Sequence, residues 1–184
     1  MRSRSRSADK NRNRQNYSGP GLPGDIFAYR SFANELDDKA SDTLIDAIDL
    51  YVNEDVFESL NRKLLAGATL WDLPTGEWEV HGSFVEALAS DLTALPVDIT
   101  VYRVERTRNI DTGGYTYKSG TKYVSATVNR NFARMYLADK RGYSIIKYNV
   151  PKGTHCIAVP KFLGRNEYEL IFYDVNWENV EILK

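Results

Sequence analysis

Glu167 and Glu169 stand two residues apart at the head of an apolar run, Asn166-Glu167-Tyr168-Glu169-Leu170-Ile171-Phe172. Aromatic and aliphatic residues crowd this run and neither Gly nor Pro interrupts it, so it reads as a short β-strand. On a strand that spacing puts both carboxylates on one face, in line with Ile171 and Tyr173. A carboxylate lined up with apolar neighbours is solvated at a strand end, paired with a cation, or held for chemistry. Two residues upstream suit the last option. Arg103 falls on the apolar side of the alternation Val97, Ile99, Val101. It cannot lose its charge, so if buried it needs an anionic partner. Ser125, with Thr127, lies on a second strand-like run, Lys122-Tyr123-Val124-Ser125-Ala126-Thr127.

The elements that position these residues change character midway. From Asp25 to about Leu65 the pattern is helical: Leu44, Ile45, Ile48, Tyr51 and Val52 recur at three and four residues. Asn53 reads as an N-cap with Glu54 and Asp55 in the first turn, and Gly67 as a helix end. Residues 72–82 read as a loop, Phe84 to Leu92 as a further helix. After Pro96 the rhythm is that of strands: one through Arg103, one at 122–127, Ser144 to Val150, His155 to Pro160, the Glu167/Glu169 strand, and a last one ending at Leu183. Asn129 to Leu137 is a short helix among them. Helices first and strands second predict an α+β fold, with N-terminal helices packed on a core of two small, mostly antiparallel sheets.

Bulk properties exclude several classes. The chain has 184 residues, room for one domain and a tail, and 42% hydrophobic residues suffice for a core. The whole-chain charge is −1; residues 1–20, with six cations and one acid, carry +5 and leave −6 to the rest. A mildly acidic body argues against a domain that grips nucleic acid through phosphates alone. The expected division is a disordered basic tail at 1–24 and a catalytic domain at 25–184. The tail is a solvated leader or an arm for an acidic or nucleic-acid partner. Cys156, the only cysteine, excludes an internal disulfide and reads as a buried thiol. With two histidines, His81 and His155, no metal-binding spacing exists, so no metal is expected. No membrane run or secretory signal is present, which suggests a cytoplasm, the protein's own or a host's.

An Arg ending one strand, Ser125-Ala126-Thr127 on a second and Glu167-Tyr168-Glu169 opening a third, in that order, resemble the Arg–Ser–Glu class of mono-ADP-ribosyltransferases. That class includes cholera toxin, the clostridial binary toxins, Rho-modifying exoenzymes and enzymes of T-even bacteriophages. The likeness to binary-toxin catalytic domains runs from about Leu44 to the C-terminus. It takes in the helical segment with Tyr51, Asn61 and Leu64, which looks like their NAD-facing helices, and the Pro151-Lys152-Gly153 turn. Ala126 departs from the family's Ser-Thr-Ser, and Lys122 stands where some members place an asparagine.

The resemblance implies NAD as substrate and a set of roles. Arg103 would bind the phosphate or ribose region, with Val104 beside it and Arg141 as a further contact for the diphosphate. Glu169 would stabilise the oxocarbenium-like ribose and bind its 2′-hydroxyl, and Ser125 would hold Glu169 in place. Glu167 would face the acceptor; in this family Glu-x-Glu goes with arginine acceptors and Gln-x-Glu with asparagine or cysteine. Phe162, on the loop Pro160 to Asn166, would touch the protein substrate or plug the loop from beneath. The reading is an NAD-dependent protein-arginine ADP-ribosyltransferase, a phage protein inside an infected bacterium or an effector delivered by others. Alternatives are an NAD glycohydrolase or nucleic-acid modifier of the same fold, and an inactive binding module.

Overall fold

A computed structural model describes residues 24–163 and 167–183. The basic tail through residue 23, and positions 164–166 of the loop that precedes Glu167, lie outside the described residues.

Four helices come first. In α1 (Gly24–Lys39), Ile26, Tyr29, Phe32, Ala33 and Leu36 repeat at three and four residues and are buried. In α2 (Asp42–Asn53) the Ser41 hydroxyl caps the first turn by accepting from the Leu44 amide at 3.2 Å. Asn53 is not the N-cap expected of it: it closes α2, and its side-chain amide donates to Asp49 one turn back, at 2.7 Å. Asp55 takes the cap position of α3 (Val56–Leu65) with a left-handed φ of 52° and no side-chain cap bond.

The expected loop at 72–82 is mostly helix, since α4 runs Thr75–Leu88. Gly76 and Gly82 weaken the helical signal there, but tertiary burial of Val80, Phe84 and Ala87 overrides propensity. Pro74 suits the entry to α4: its φ is −66°, and its missing N–H would be unpaired in a first turn anyway. The helix stops at Leu88, short of Leu92, because the hydroxyls of Ser90 and Thr93 both donate to the Ala87 carbonyl, at 2.7 and 2.8 Å, and turn the chain outward.

The strands are β1 (Ile99–Arg106), β2 (Ile110–Asp111), β3 (Thr116–Lys118), β4 (Tyr123–Thr127), β5 (Tyr143–Val150), β6 (Ile157–Ala158), β7 (Glu169–Tyr173), β8 (Asn176–Trp177) and β9 (Glu181–Leu183), with α5 (Arg130–Leu137) after β4. Six form an antiparallel sheet in the order β6-β7-β4-β1-β5-β9; β2, β3 and β8 form a second. Asn129 caps α5, its side chain accepting from the amides of Asn131 and Phe132.

The sheet is two ladders joined at one point. β1 pairs with β5 along its whole length, from Ile99 opposite Val150 to Arg106 opposite Tyr143. β4 pairs with β7 from Tyr123 opposite Tyr173 to Thr127 opposite Glu169. Between β1 and β4 the only register is Tyr102 opposite Thr127. Beyond it the strands part, and the Arg103 side chain spans the gap to β4.

Two cores hold the ladders. Ile99, Val101, Val124, Ala126, Leu170 and Phe172 pack with α1 and the small sheet, where Trp177 stacks on Tyr148 at 4.7 Å and meets Phe172 edge-on at 5.4 Å. Tyr123, Ile157, Val159 and Ile171 pack with α2, α3 and α4 on the other face. Each large side chain buried in this way contributes about 1.5–3 kcal/mol. Cys156 is buried in the first core, and burial pushes its thiol pKa up. Among the described residues no helix is long and apolar enough to cross a membrane.

Candidate active site

The parting of β1 and β4 leaves backbone groups of β4 without a strand partner, and side chains take over. Asn61 on α3 spans Tyr123: its carbonyl accepts from the Tyr123 amide at 2.6 Å and its amide donates to the Tyr123 carbonyl at 3.2 Å. Arg103 on β1 reaches across the gap, and its Nη1 donates to the Ser125 carbonyl at 2.8 Å. Both side chains stand in for a missing strand. Asn61 thus fixes α3 to β4 and is itself buried, as is Leu64.

Arg103 carries the apolar alternation of β1 one step further, and its anionic partner is Glu105, two residues along the same face. Nη2 and Nε of Arg103 lie 3.2 and 3.3 Å from Glu105 Oε2, and Nε also donates to the Tyr117 hydroxyl at 3.0 Å. Tyr117 in turn donates to Glu105 Oε2 at 2.9 Å. Burial alone would lower the arginine pKa, but Tyr117 and Glu105 outweigh it and the net shift is upward. Burial would raise Glu105, but Arg103, the Arg106 amide, Tyr117 and Asn109 hold it below the usual carboxylate range. Sequence reasoning missed Glu105 and Tyr117. The signal for Glu105 was its place two residues after Arg103 on one strand face; none pointed to Tyr117, which arrives from a three-residue strand.

Glu169 opens β7 opposite Thr127, and Ser125 lies two residues along β4, opposite Ile171. Register puts Glu169, Ile171 and Ser125 on one face, beside the place where β1 and β4 part. Burial is the main influence on Glu169 and raises its pKa; the Glu167 charge adds to the rise, while the Ser125 hydroxyl and Arg103 favour the ionised form. Tyr51 contributes a buried hydroxyl with no hydrogen-bond partner. Burial pushes its pKa up, and a hydrogen-bonding influence from Ser125 with the charges of Glu169 and Arg103 also acts on it, so this hydroxyl faces the same cluster.

Glu167 reaches the cluster by a route the strand pattern did not foresee. β7 begins at Glu169, not at Asn166, because Tyr168 has a left-handed φ of 51°. That conformation costs a bulky residue about 1 kcal/mol or more and persists only where its surroundings enforce it. Here they do. The Arg30 guanidinium donates to the Tyr168 hydroxyl at 2.8 Å and lies 5.3 Å from its ring centre, and Tyr29 meets the ring edge-on at 5.7 Å. The Tyr168 carbonyl accepts from the Val128 amide at 3.1 Å, and the Glu167 carbonyl accepts from the Thr127 hydroxyl. The two glutamates therefore do not share a face through strand alternation. A pinned kink separates them while keeping the Glu167 charge close enough to act on Glu169.

The remaining candidates are spread out. Val104 is half-buried opposite Ile145, on the other face of β1 from Arg103. Arg141 is exposed and lines an open cavity of about 570 Å³ with Arg106, Thr107, Arg108, Gly142 and Tyr143. Phe162 is 60% exposed in the turn after β6, so it is no plug beneath that turn. Lys122 pairs with Asp174 at 2.9 Å. No group of three or more His, Cys, Asp or Glu able to hold a metal occurs among the described residues.

A carboxylate with a raised pKa binds its proton more tightly folded than unfolded. The stability it contributes is fully present below the unfolded value, near 4.5, and is lost as pH rises toward the higher folded value. Glu169→Gln, which cannot titrate, should melt together with wild type at about pH 4 and above it at pH 7 to 8. Thermal melts across that range check this; a difference independent of pH would count against a buried, proton-binding Glu169.

No protein-family model matches the sequence, and no curated protein matches it. Solved structures do. The fold matches an ADP-ribosyltransferase from Clostridium botulinum at a TM-score of 0.59 and 13% identity, over 84% of this chain and 92% of that one. It matches the Clostridium limosum C3 exoenzyme at 0.58 and 12%, over 83% and 84%. Exoenzyme S from Pseudomonas aeruginosa, solved with human 14-3-3 protein beta and carba-NAD, matches at 0.54 and 17%, over 81% and 78%. At these identities the likeness is one of architecture, and it agrees with the α+β arrangement expected from the order of elements: the chain has the ADP-ribosyltransferase fold.

Proposed function

We propose that the protein is an NAD-dependent mono-ADP-ribosyltransferase that modifies arginine side chains of target proteins. The observation that carries this reading is the half-buried Glu169 carboxylate beside the Ser125 hydroxyl, next to the place where β1 and β4 part. The reaction breaks the bond between ribose C1′ and the nicotinamide nitrogen, and nicotinamide leaves with the electron pair. A fixed carboxylate stabilises the positive charge that develops on the ribose. Glu169 takes that part and binds the 2′-hydroxyl; Ser125 orients it. The buried Tyr51 hydroxyl, next to Ser125, adds a polar group to this cluster, so the chain's own residues suit an NAD-like occupant.

Arg103 directs donors to Glu105, Tyr117 and the Ser125 carbonyl, which leaves one N–H on each Nη for the ribose or phosphate region. Val104 and Arg141 complete the proposed contacts with NAD. Glu167 faces the acceptor, takes the proton from the guanidinium and frees it to attack C1′. The Glu, rather than Gln, at this position supports arginine as acceptor, and the exposed Phe162 offers an aromatic contact to the target.

The test is incubation with labelled NAD⁺ and a cell lysate, followed by mapping of the modified residue. Glu167→Gln is expected to lose at least about a hundredfold in transfer, the low end for a positioned base, and to keep most hydrolysis of NAD. Equal loss of both activities would assign Glu167 to bond cleavage, and label on a residue other than arginine would sink the acceptor assignment.

A further inference from the structure

Charge on the folded domain is unevenly placed. The body as a whole is acidic, yet residues 130–143 carry four cations, Arg130, Arg134, Lys140 and Arg141, against the single acid Asp139. Arg106 and Arg108, at the end of β1 that faces the start of β5, add two more. Arg106, Arg108, Lys140 and Arg141 form no ion pair among the described residues.

Aromatic rings thread through these cations in a continuous ladder. Phe132 and Tyr136, one turn apart on α5, lie nearly parallel, 17° apart with centres 6.4 Å from each other. The Lys140 ammonium lies 3.4 Å from the Tyr136 ring centre and 5.5 Å from that of Tyr143. Arg106 faces Tyr143 from 5.8 Å and its Nε donates to the Tyr143 hydroxyl at 3.1 Å. The ladder runs from α5 to β1 and ends at the open cavity of about 570 Å³ lined by Arg106, Arg108 and Arg141. Tyr136 remains 55% exposed and its neighbour Met135 75%. Both ends adjoin the candidate active site in sequence: α5 follows β4, which carries Ser125, and Arg106 lies three residues beyond Arg103.

We propose that this ladder binds single-stranded nucleic acid. A strand needs flat rings for its bases and cations spaced for its phosphates, and it tolerates any sequence because every base has a π-face. Here Tyr136, 55% exposed beside the half-buried Phe132, offers a ring to a base when the Lys140 ammonium moves from its face to a phosphate, and Lys140, Arg106 and Arg108 offer the charges. An acidic protein surface would use the cations but has no need of the exposed ring. A duplex, whose bases are stacked inside, would find no use for the ring either. The surface stands on its own geometry. Its consequence rests on the transferase reading: proteins that travel with single-stranded RNA or DNA would be held beside the candidate active site, and their arginines would be the preferred acceptors.

The experiment is a binding titration of the whole chain, without NAD, against a fluorescent single-stranded oligonucleotide, with the matching duplex and polyglutamate as competitors. Wild type should bind the single strand. Tyr136→Ala should weaken binding about tenfold, and Lys140→Gln should reduce the slope of log K against log salt by about 0.7. Neither should change hydrolysis of free NAD⁺. Because residues 1–20 are themselves basic, the same two effects must persist after their removal. Competition by polyglutamate or the duplex as strong as by the single strand would overturn the proposal, as would binding unaffected by Tyr136→Ala. Failure of NAD cleavage with binding intact would remove the transferase reading alone.

Discussion

Glu169→Gln should abolish both transfer and NAD hydrolysis, with a loss of about a thousandfold, the size expected when a preorganised electrostatic partner is removed from a charge-building transition state. The substitution keeps the shape of the side chain and removes only its charge. It should also leave the fold intact, and more stable above pH 4.5 than wild type, because the ionised carboxylate is what burial penalises. Activity and stability therefore move in opposite directions on one substitution. A merely structural glutamate would move them together.

The second large effect concerns Arg103 and Glu105. Both are mostly buried, with side chains 21% and 14% exposed, and each neutralises the other. Removing one leaves an uncompensated charge. Glu105→Ala should cost about 3 kcal/mol, a fall of roughly 6–12 °C in melting temperature for a domain of this size. Arg103→Met should cost a similar amount, because the Ser125 carbonyl loses its donor as well. The double variant should cost less than the sum of the two, since no lone charge remains. Additive losses would mean that the pair does not act as a unit. Glu105→Ala should also slow NAD cleavage while the protein is still folded, because Arg103 is then free to leave the gap between β1 and β4.

Much of this arrangement was legible in the sequence, for identifiable reasons. Arg103 announced itself by interrupting the alternation of Ile99 and Val101, and Asn129 marked the start of α5 through ordinary capping chemistry. The two glutamates were legible as residues but not as geometry. The strand pattern placed them on one face, whereas a left-handed Tyr168, held by Arg30 and Tyr29 from α1 more than a hundred residues away, separates them. No local signal reports such a contact. A second sheet was expected, but its strands were not picked out, because β2, β3 and β8 are two or three residues long and owe their place to Trp177 against Tyr148 and Phe172. The bridging role of Asn61 was not legible, because closing the open edge of β4 is a task that exists only once β1 and β4 are seen to part.

That parting ties the fold to the proposed chemistry. A continuous ladder between β1 and β4 would satisfy the backbone without help and leave no gap. The single register at Tyr102 and Thr127 requires side-chain substitutes at Tyr123 and Ser125. Arg103 is thus first a structural bridge, and whatever it contributes to NAD binding is done with the N–H groups left over.

Release of nicotinamide from NAD⁺ tests the account most directly, measured at neutral pH for wild type and Glu169→Gln at matched concentrations of folded protein. The account predicts steady release by wild type and about a thousandfold less by the variant, with the variant melting at the higher temperature. Equal release by both proteins would contradict it.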